Sequence, residues 1–189
     1  MAKIHTNAFP GFFLTSLGPE FLADYYKSAI HDSSSHGIGL WDRGALVGFA
    51  IGYPDSRAFY MRLLVRRFHK WAYHGLRILL RHPTAVAHLL TSAFFGRTEE
   101  TVSKPPTYIL LASIAVDAPH LSAAGTTLLK AWEASIAIEH DFRGIFLTTD
   151  KSNNSRAIHF YTKNGYRQTE QFTTRKGRTM IRFEKELAS

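Results

Sequence analysis

The sequence predicts an α/β (α+β) fold, a mixed and mostly antiparallel central sheet flanked by helices, with a basic helical insert. Three observations predict it. From Thr107 to Gln168 an apolar run of strand length, a helical repeat, a second short strand and a last helix follow one another, which is a βαβ unit with a following helix. On either side of that unit, turn residues separate paired strand-length runs, as in antiparallel hairpins. Between the first hairpin and the unit, residues 55–106 interleave arginines with apolar residues at helical spacing.

A chain of 189 residues suits a single domain, 1–189, with the insert inside it. A hydrophobic content of 45% with 13% aromatics excludes a disordered protein. The lack of cysteine excludes a disulfide framework, a thiolate zinc site and a cysteine nucleophile, and it is compatible with a reducing cytoplasm. MAKIHTNAFPGFF has no sustained apolar core, so no secretory signal is expected. No uncharged run reaches about 18 residues, the length an ordinary spanning helix needs. A net charge of +8 favours anionic partners: a phosphorylated cofactor, a nucleotide-linked substrate, nucleic acid or an anionic membrane.

Taken in order, Phe9 to Leu14 is short and apolar, an edge strand or an anchoring loop. Ser16-Leu17-Gly18-Pro19-Glu20 starts a helix with proline in its first turn. Phe21, Leu22, Tyr25, Tyr26 and Ile30 give that helix an apolar stripe for the core. Gly37–Trp41 and Ala45–Tyr53 are strands joined by a turn at Asp42-Arg43-Gly44. Tyr108–Val116 is apolar almost throughout, which suits a strand buried on both faces. After a loop holding Pro119, Leu128, Leu129, Trp132 and Ile136 mark one face of a helix from about Ser122 to His140. Gly144–Thr149 is the second strand of the unit, followed by Asp150, Asn153 and Asn154. The last helix carries Ala157, Ile158, Phe160 and Tyr161 and stops at Asn164-Gly165, where glycine admits the left-handed conformation. A hairpin, Tyr166–Thr174 and Thr179–Leu187 around Arg175-Lys176-Gly177, closes the chain. In such a unit a ligand sits at the strand carboxyl ends, facing helix amino termini.

The insert carries Arg57, Arg62, Arg66, Arg67, Lys70, Arg77, Arg81 and Arg97, with no acid between the first and the last. Tyr60, Leu64, Phe68, Trp71, Gly75 and Leu79 recur at helical spacing; His82-Pro83 breaks the pattern and Thr84–Phe95 forms a second helix. A lid or wall over an acceptor site, a membrane-surface helix, and a homodimer contact or solvated helical pair all fit this pattern. No nucleic-acid module is recognised, so nucleic acid is not an expected partner. His69, His74, His82 and His88 have no accompanying carboxylate and make no metal set.

Three pieces of the βαβ unit resemble the acetyl-CoA-binding half of the GNAT N-acetyltransferase superfamily. They are Ser113-Ile114-Ala115-Val116 before a loop, Gly125-Thr126-Thr127-Leu128-Leu129 opening a helix, and Asn154 to Tyr166, which reads Asn-x-x-Ala-x-x-x-Tyr-x-x-x-Gly-aromatic. The resemblance covers Thr107 to Arg167 well, extends to Phe9–Tyr53, and is absent between about Pro54 and Pro106. It implies acetyl-CoA as cosubstrate and direct transfer of its acetyl group to a primary amine through a ternary complex. The backbone of Ile114, Ala115 and Val116 would hold the pantetheine arm. His120, Leu121, Ser122, Ala123, Ala124, Gly125 and Thr126 would cradle the pyrophosphate. Of the implied pattern Arg/Gln-x-x-Gly-x-Gly/Ala, His120 replaces the first residue and Ala123 the first glycine. Asn154 would hydrogen-bond the arm or cap its helix, with Asn153 as the alternative. Tyr161 would protonate the departing thiolate as general acid.

The glutamate that many relatives place on the equivalent strand is Leu110 here, so the base is unassigned among Ser113 orienting a water, Asp150, a histidine of the insert and solvent. Tyr25 or Tyr26, otherwise core residues, would line the acceptor pocket. The arginines point to a small anionic acceptor such as a nucleotide-linked amino sugar. Protein N-termini or lysines, and a non-catalytic acyl-CoA-binding or membrane-surface module, are the alternatives. A cytoplasmic location, with peripheral membrane contact through the insert, follows from the same features.

Overall fold

The computed structural model describes residues 1–66, 107–118, 121, 123–139, 142–174 and 177–187. Its elements are α1 (Ala2–Ala8), α2 (Phe13–Ser16), α3 (Pro19–Ile30), β1 (His36–Asp42), β2 (Ala45–Tyr53), α4 (Ser56–Arg66), β3 (Tyr108–Val116), α5 (Ala124–Glu139), β4 (Gly144–Asp150), α6 (Ser155–Lys163), β5 (Arg167–Thr173) and β6 (Thr179–Glu186). Six strands form one sheet in the order β1-β2-β3-β4-β6-β5. Only the β3–β4 pair is parallel, because a helix, α5, connects these strands; the other neighbours run antiparallel. The mixed, mostly antiparallel sheet expected from the sequence is therefore observed.

Helices cover both faces. On one, Ile4 of α1, Phe21, Leu22, Tyr25 and Tyr26 of α3, and Phe59 and Leu63 of α4 pack on Phe49, Ile51, Tyr53, Leu110 and Ala115. On the other, Leu128, Leu129, Trp132 and Ile136 of α5 pack on Ile109, Leu111, Ile145, Leu147 and Phe183, with Ile158, Phe160 and Tyr161 of α6 beside them. Trp132 is fully buried and its indole N–H donates to the His36 carbonyl at 2.9 Å, so its polar edge is satisfied. It can lie flat on β2 because residue 52 is glycine: a Cβ there would stand 2.5 Å from Trp132 Cζ2 and 2.3 Å from the Leu110 carbonyl oxygen.

Two local expectations are corrected. Phe9–Leu14 is not an edge strand: Phe9 closes α1, Phe13 opens α2, and the Thr15 hydroxyl anchors the junction by donating to the Phe9 carbonyl at 2.7 Å. The exposed stripe residue Ile30, 62% accessible, yields its place in the core to Ala29. In the first turns of the insert, Phe59 and Leu63 of α4 are buried, and Tyr60 packs half-buried against the same core. The rest of the insert, residues 67–106, lies outside the described residues, as does the proposed second helix Thr84–Phe95.

Candidate active site

The two parallel strands part company early. β3 pairs with β4 only through Tyr108–Gly144, Ile109–Ile145 and Leu110–Phe146. Beyond that point β3 follows β2 as far as Val116, while β4 follows β6 as far as Asp150. A bulge marks the divergence: Gly52 faces Leu111 and Ile51 faces Ser113, so Ala112 is an extra residue that bends β3. The result is an opening in the middle of the sheet, at the carboxyl ends of its two parallel strands.

The edge of β3 that borders this opening carries peptide groups without a partner among the described residues. The Asp117 N–H donates to the Val47 carbonyl at 2.7 Å, so Asp117 faces β2. Alternation along the strand turns Ala115 to β2 as well and leaves the N–H and C=O of Ile114 and Val116 facing the opening. Such an edge can hydrogen-bond an extended, amide-bearing ligand.

The start of α5 supplies a second set of donors. Leu121 N–H donates to the Ala118 carbonyl at 3.0 Å, Ala124 N–H to the Leu121 carbonyl at 3.4 Å, and Thr127 N–H to the Ala123 carbonyl at 3.0 Å. Between these, the first-turn N–H groups of Gly125 and Thr126 have no acceptor among the described residues and stand at the positive end of the helix dipole, where an anion is favoured. Ala123 itself is left-handed, φ 58, the conformation glycine adopts without strain. At Gly125 the constraint is packing: a Cβ there would lie 3.3 Å from Phe160 Cε2, so glycine lets α6 approach the start of α5. Pro119, His120 and Ser122 lie outside the described residues.

On α6, Asn154 does not cap its helix with its side chain, which corrects the capping alternative. Its amide instead donates to Thr149 Oγ1 at 2.5 Å and to the Asp150 carbonyl at 3.2 Å, tying the loop to the end of β4. The neighbouring Asn153 takes the left-handed turn at φ 55, a conformation asparagine tolerates. The half-buried Tyr161 rests against Phe160, Tyr166 and Phe183 at ring separations of 5.2, 5.7 and 5.9 Å. Burial pushes its phenol above the ordinary tyrosine value, so it keeps its proton at neutral pH. Tyr166 N–H donates to the Tyr161 carbonyl at 3.0 Å, and Gly165 at φ 88 ends the helix as the Asn-Gly pair predicts.

Among the candidate bases, Asp150 is engaged by Arg178, whose guanidinium donates to it at 3.0 and 2.5 Å. Leu110 is core. Ser113 lies 3.4 Å from the Tyr26 hydroxyl, and that hydroxyl lies 2.6 Å from Nδ1 of His5, a buried residue that no motif in the sequence singles out. Tyr25 and Tyr26 are buried in the core. Tyr25 adjoins a row of hydroxyls, 3.4 Å to Tyr53 and from there 3.3 Å to Tyr60, which sequence reasoning also missed.

The open strand edge thus borders a gap in the sheet, and the amino terminus of α5 and the protonated phenol of Tyr161 belong to helices on one face of it. The sequence profile of the acetyltransferase (GNAT) family matches residues 1–166. The chain belongs to the GNAT acetyltransferase family. It is an N-acetyltransferase with acetyl-CoA as cosubstrate, and solved structures of low identity share its fold. An aminoglycoside 6'-acetyltransferase type Ii is 14% identical with a TM-score of 0.61, over 100% of this chain and 88% of its own. An aminoglycoside 6'-N-acetyltransferase complexed with coenzyme A gives 13% and 0.58, over 100% and 89%. The ribosomal-protein-S18-alanine N-acetyltransferase from Escherichia coli gives 14% and 0.53, over 100% and 87%. No curated protein matches the chain.

Proposed function

We propose that this acetyltransferase moves the acetyl group of acetyl-CoA directly to a primary amine of a small acceptor, with the thioester seated where β3 and β4 diverge. The observation that carries this is the divergence itself, with the open peptides of Ile114 and Val116 on one side and the start of α5 beside it. The pantetheine arm lies along Ile114, Ala115 and Val116 and continues the sheet. The pyrophosphate is held by the segment from His120 to Thr126, chiefly through the N–H groups of Gly125 and Thr126. Asn154 fixes the loop between β4 and α6 that borders the arm. The amine nitrogen attacks the thioester carbonyl, the carbon–sulfur bond breaks, and Tyr161 gives its proton to the departing thiolate, while the amine gives one to solvent, from which Tyr161 is reprotonated.

The residues of α4 that pack on the sheet lie on the α1–α3 face, opposite α5 and α6. This supports residues 55–106, within one domain spanning 1–189, as a wall on the acceptor side. Their arginines and the net charge of +8 favour an acceptor bearing an anionic group. The fold likeness to an enzyme named for a ribosomal-protein alanine supports a protein N-terminus as the second acceptor class.

A panel of primary amines (kanamycin, spermidine, glucosamine 6-phosphate and an alanyl peptide) incubated with acetyl-CoA tests this, with release of the CoA thiol and acetylated product as readouts. Turnover with at least one amine, falling roughly 100-fold in Tyr161→Phe with acetyl-CoA affinity kept, is expected. Full turnover by Tyr161→Phe would remove the assigned acid. Tight acetyl-CoA binding with no amine acetylated would replace transfer by a binding role.

A further inference from the structure

The mechanism above leaves one buried histidine unused. His5 on α1 is 4% exposed and Tyr26 on α3 is 2% exposed, so both sit inside the core. Even so, they form a hydrogen-bonded chain that ends at a residue beside the opening: His5 Nδ1 to the Tyr26 hydroxyl at 2.6 Å, and that hydroxyl to Ser113 Oγ at 3.4 Å. Ser113 follows the Ala112 bulge, within the part of β3 that β4 has left. The second link is long for an O–H···O bond, as catalytic links often are before ligand binds.

We propose that His5, acting through Tyr26, holds the Ser113 hydroxyl as a hydrogen-bond acceptor, so that Ser113 receives an N–H of the incoming amine and His5 and Tyr26 are its positioning residues. This deepens the proposed amine transfer and rests on it. The argument is one of proton counting. Burial lowers the His5 pKa and raises that of Tyr26, so both are neutral, and a neutral imidazole has one N–H and one lone pair. His5 Nε2 is buried with no hydrogen-bond partner among the described residues. Its surroundings are aromatic, with Phe9 at 4.8 Å and Tyr26 at 5.6 Å, and an N–H is better tolerated there than a lone pair.

The proton therefore stays on Nε2, and Nδ1 accepts from the Tyr26 O–H. The Tyr26 oxygen then accepts from the Ser113 O–H. The single proton of Ser113 is spent inward, leaving only lone pairs to face a ligand. An amine, which arrives as a donor, meets an acceptor where Leu110 supplies none. Other ionisable groups on or flanking these elements are the Met1 amine, held below its ordinary value by burial, Lys3, Glu20, Asp24, the Tyr25 phenol, Lys27, Tyr108, and Asp117, which accepts from Asn7 at 2.7 Å. Of these, Tyr25 touches the chain from His5 to Ser113, packed edge-on to Tyr26 at 5.0 Å.

Nitrogen NMR of the intact protein labelled at histidine reads the polarity without any acceptor. The expected result is a neutral His5 protonated on Nε2 at neutral pH, with an Nδ1 resonance that moves in Tyr26→Phe and stays in Ser113→Ala. Kinetics with kanamycin and spermidine read the consequence. Ser113→Ala should raise KM for the amine about tenfold, the worth of one hydrogen bond to an ionised partner, with KM for acetyl-CoA unchanged and Ser113→Thr restoring the amine KM. Because Tyr26→Phe perturbs the core, Ser113→Ala keeps the test decisive if the former fails to fold. A His5 that is charged or protonated on Nδ1 would overturn the proposal, as would an amine KM untouched by Ser113→Ala. If neither amine is acetylated, the transfer reading fails with those acceptors while the histidine spectrum still decides the polarity of the chain.

Discussion

Ala123→Gly should stabilise this protein. Ala123 has φ 58, directly before α5, at the position where the resembled loop has glycine. An L residue in the left-handed region costs roughly 1–2 kcal/mol relative to its preferred conformation, and glycine carries no such cost. Glycine also loosens the unfolded chain, which offsets about 0.4–1 kcal/mol of the gain. Ala123 is exposed, so no buried contact is lost with its methyl group. The net expectation is a gain of about 0.5–1 kcal/mol, or a rise in Tm of roughly 1–4 °C for a domain of this size. Calorimetric melting of the two proteins side by side measures it, and acetyl-CoA titration should show affinity unchanged or improved. A lower Tm in Ala123→Gly would refute the reasoning, because it would mean that the turn into α5 does not require a left-handed residue.

Two further predictions concern the frame of the site. Gly52→Ala would place a methyl group 2.3 Å from the Leu110 carbonyl and 2.5 Å from Trp132; a loss of about 3 kcal/mol is expected in urea unfolding, and a loss below 1 would contradict this packing. Asp32 is held at about 2 chiefly by the hydrogen bond from Arg62, whose Nε lies 2.8 Å away, below the ordinary aspartate value of about 3.9. A depressed carboxyl contributes stability that is complete above the ordinary value and is lost as pH falls through the folded one. Asp32→Asn should therefore cost up to about 2 kcal/mol at neutral pH and flatten the stability profile between about pH 4 and pH 2.

The parts of the fold that were legible in the sequence are those fixed by local periodicity. The nine-residue strand Tyr108–Val116, the α5 face of Leu128, Leu129, Trp132 and Ile136, and the Asn164-Gly165 stop all stand where the pattern puts them. What was illegible depends on partners distant in the chain. The bulge at Ala112 and the early parting of β3 from β4 are matters of register between strands, and no periodicity within one strand reports them. The short helix α1 was missed because a seven-residue segment carrying His5 offers little apolar signal, although Ile4 and His5 are both buried. Asn154 precedes a helix and so suggests a cap, but Thr149 Oγ1 and the Asp150 carbonyl draw its amide away.

The central claim is that acetyl-CoA lies in the opening between β3 and β4 with its pyrophosphate at the start of α5. Hydrogen exchange at single amides, with and without saturating acetyl-CoA, tests it most directly, since it needs no acceptor and reads the backbone groups themselves. The account predicts slowed exchange at Ile114, Val116, Gly125 and Thr126, with the β1–β2 hairpin unchanged. Protection confined to other segments, or none at a concentration where acetyl-CoA raises Tm, would contradict it.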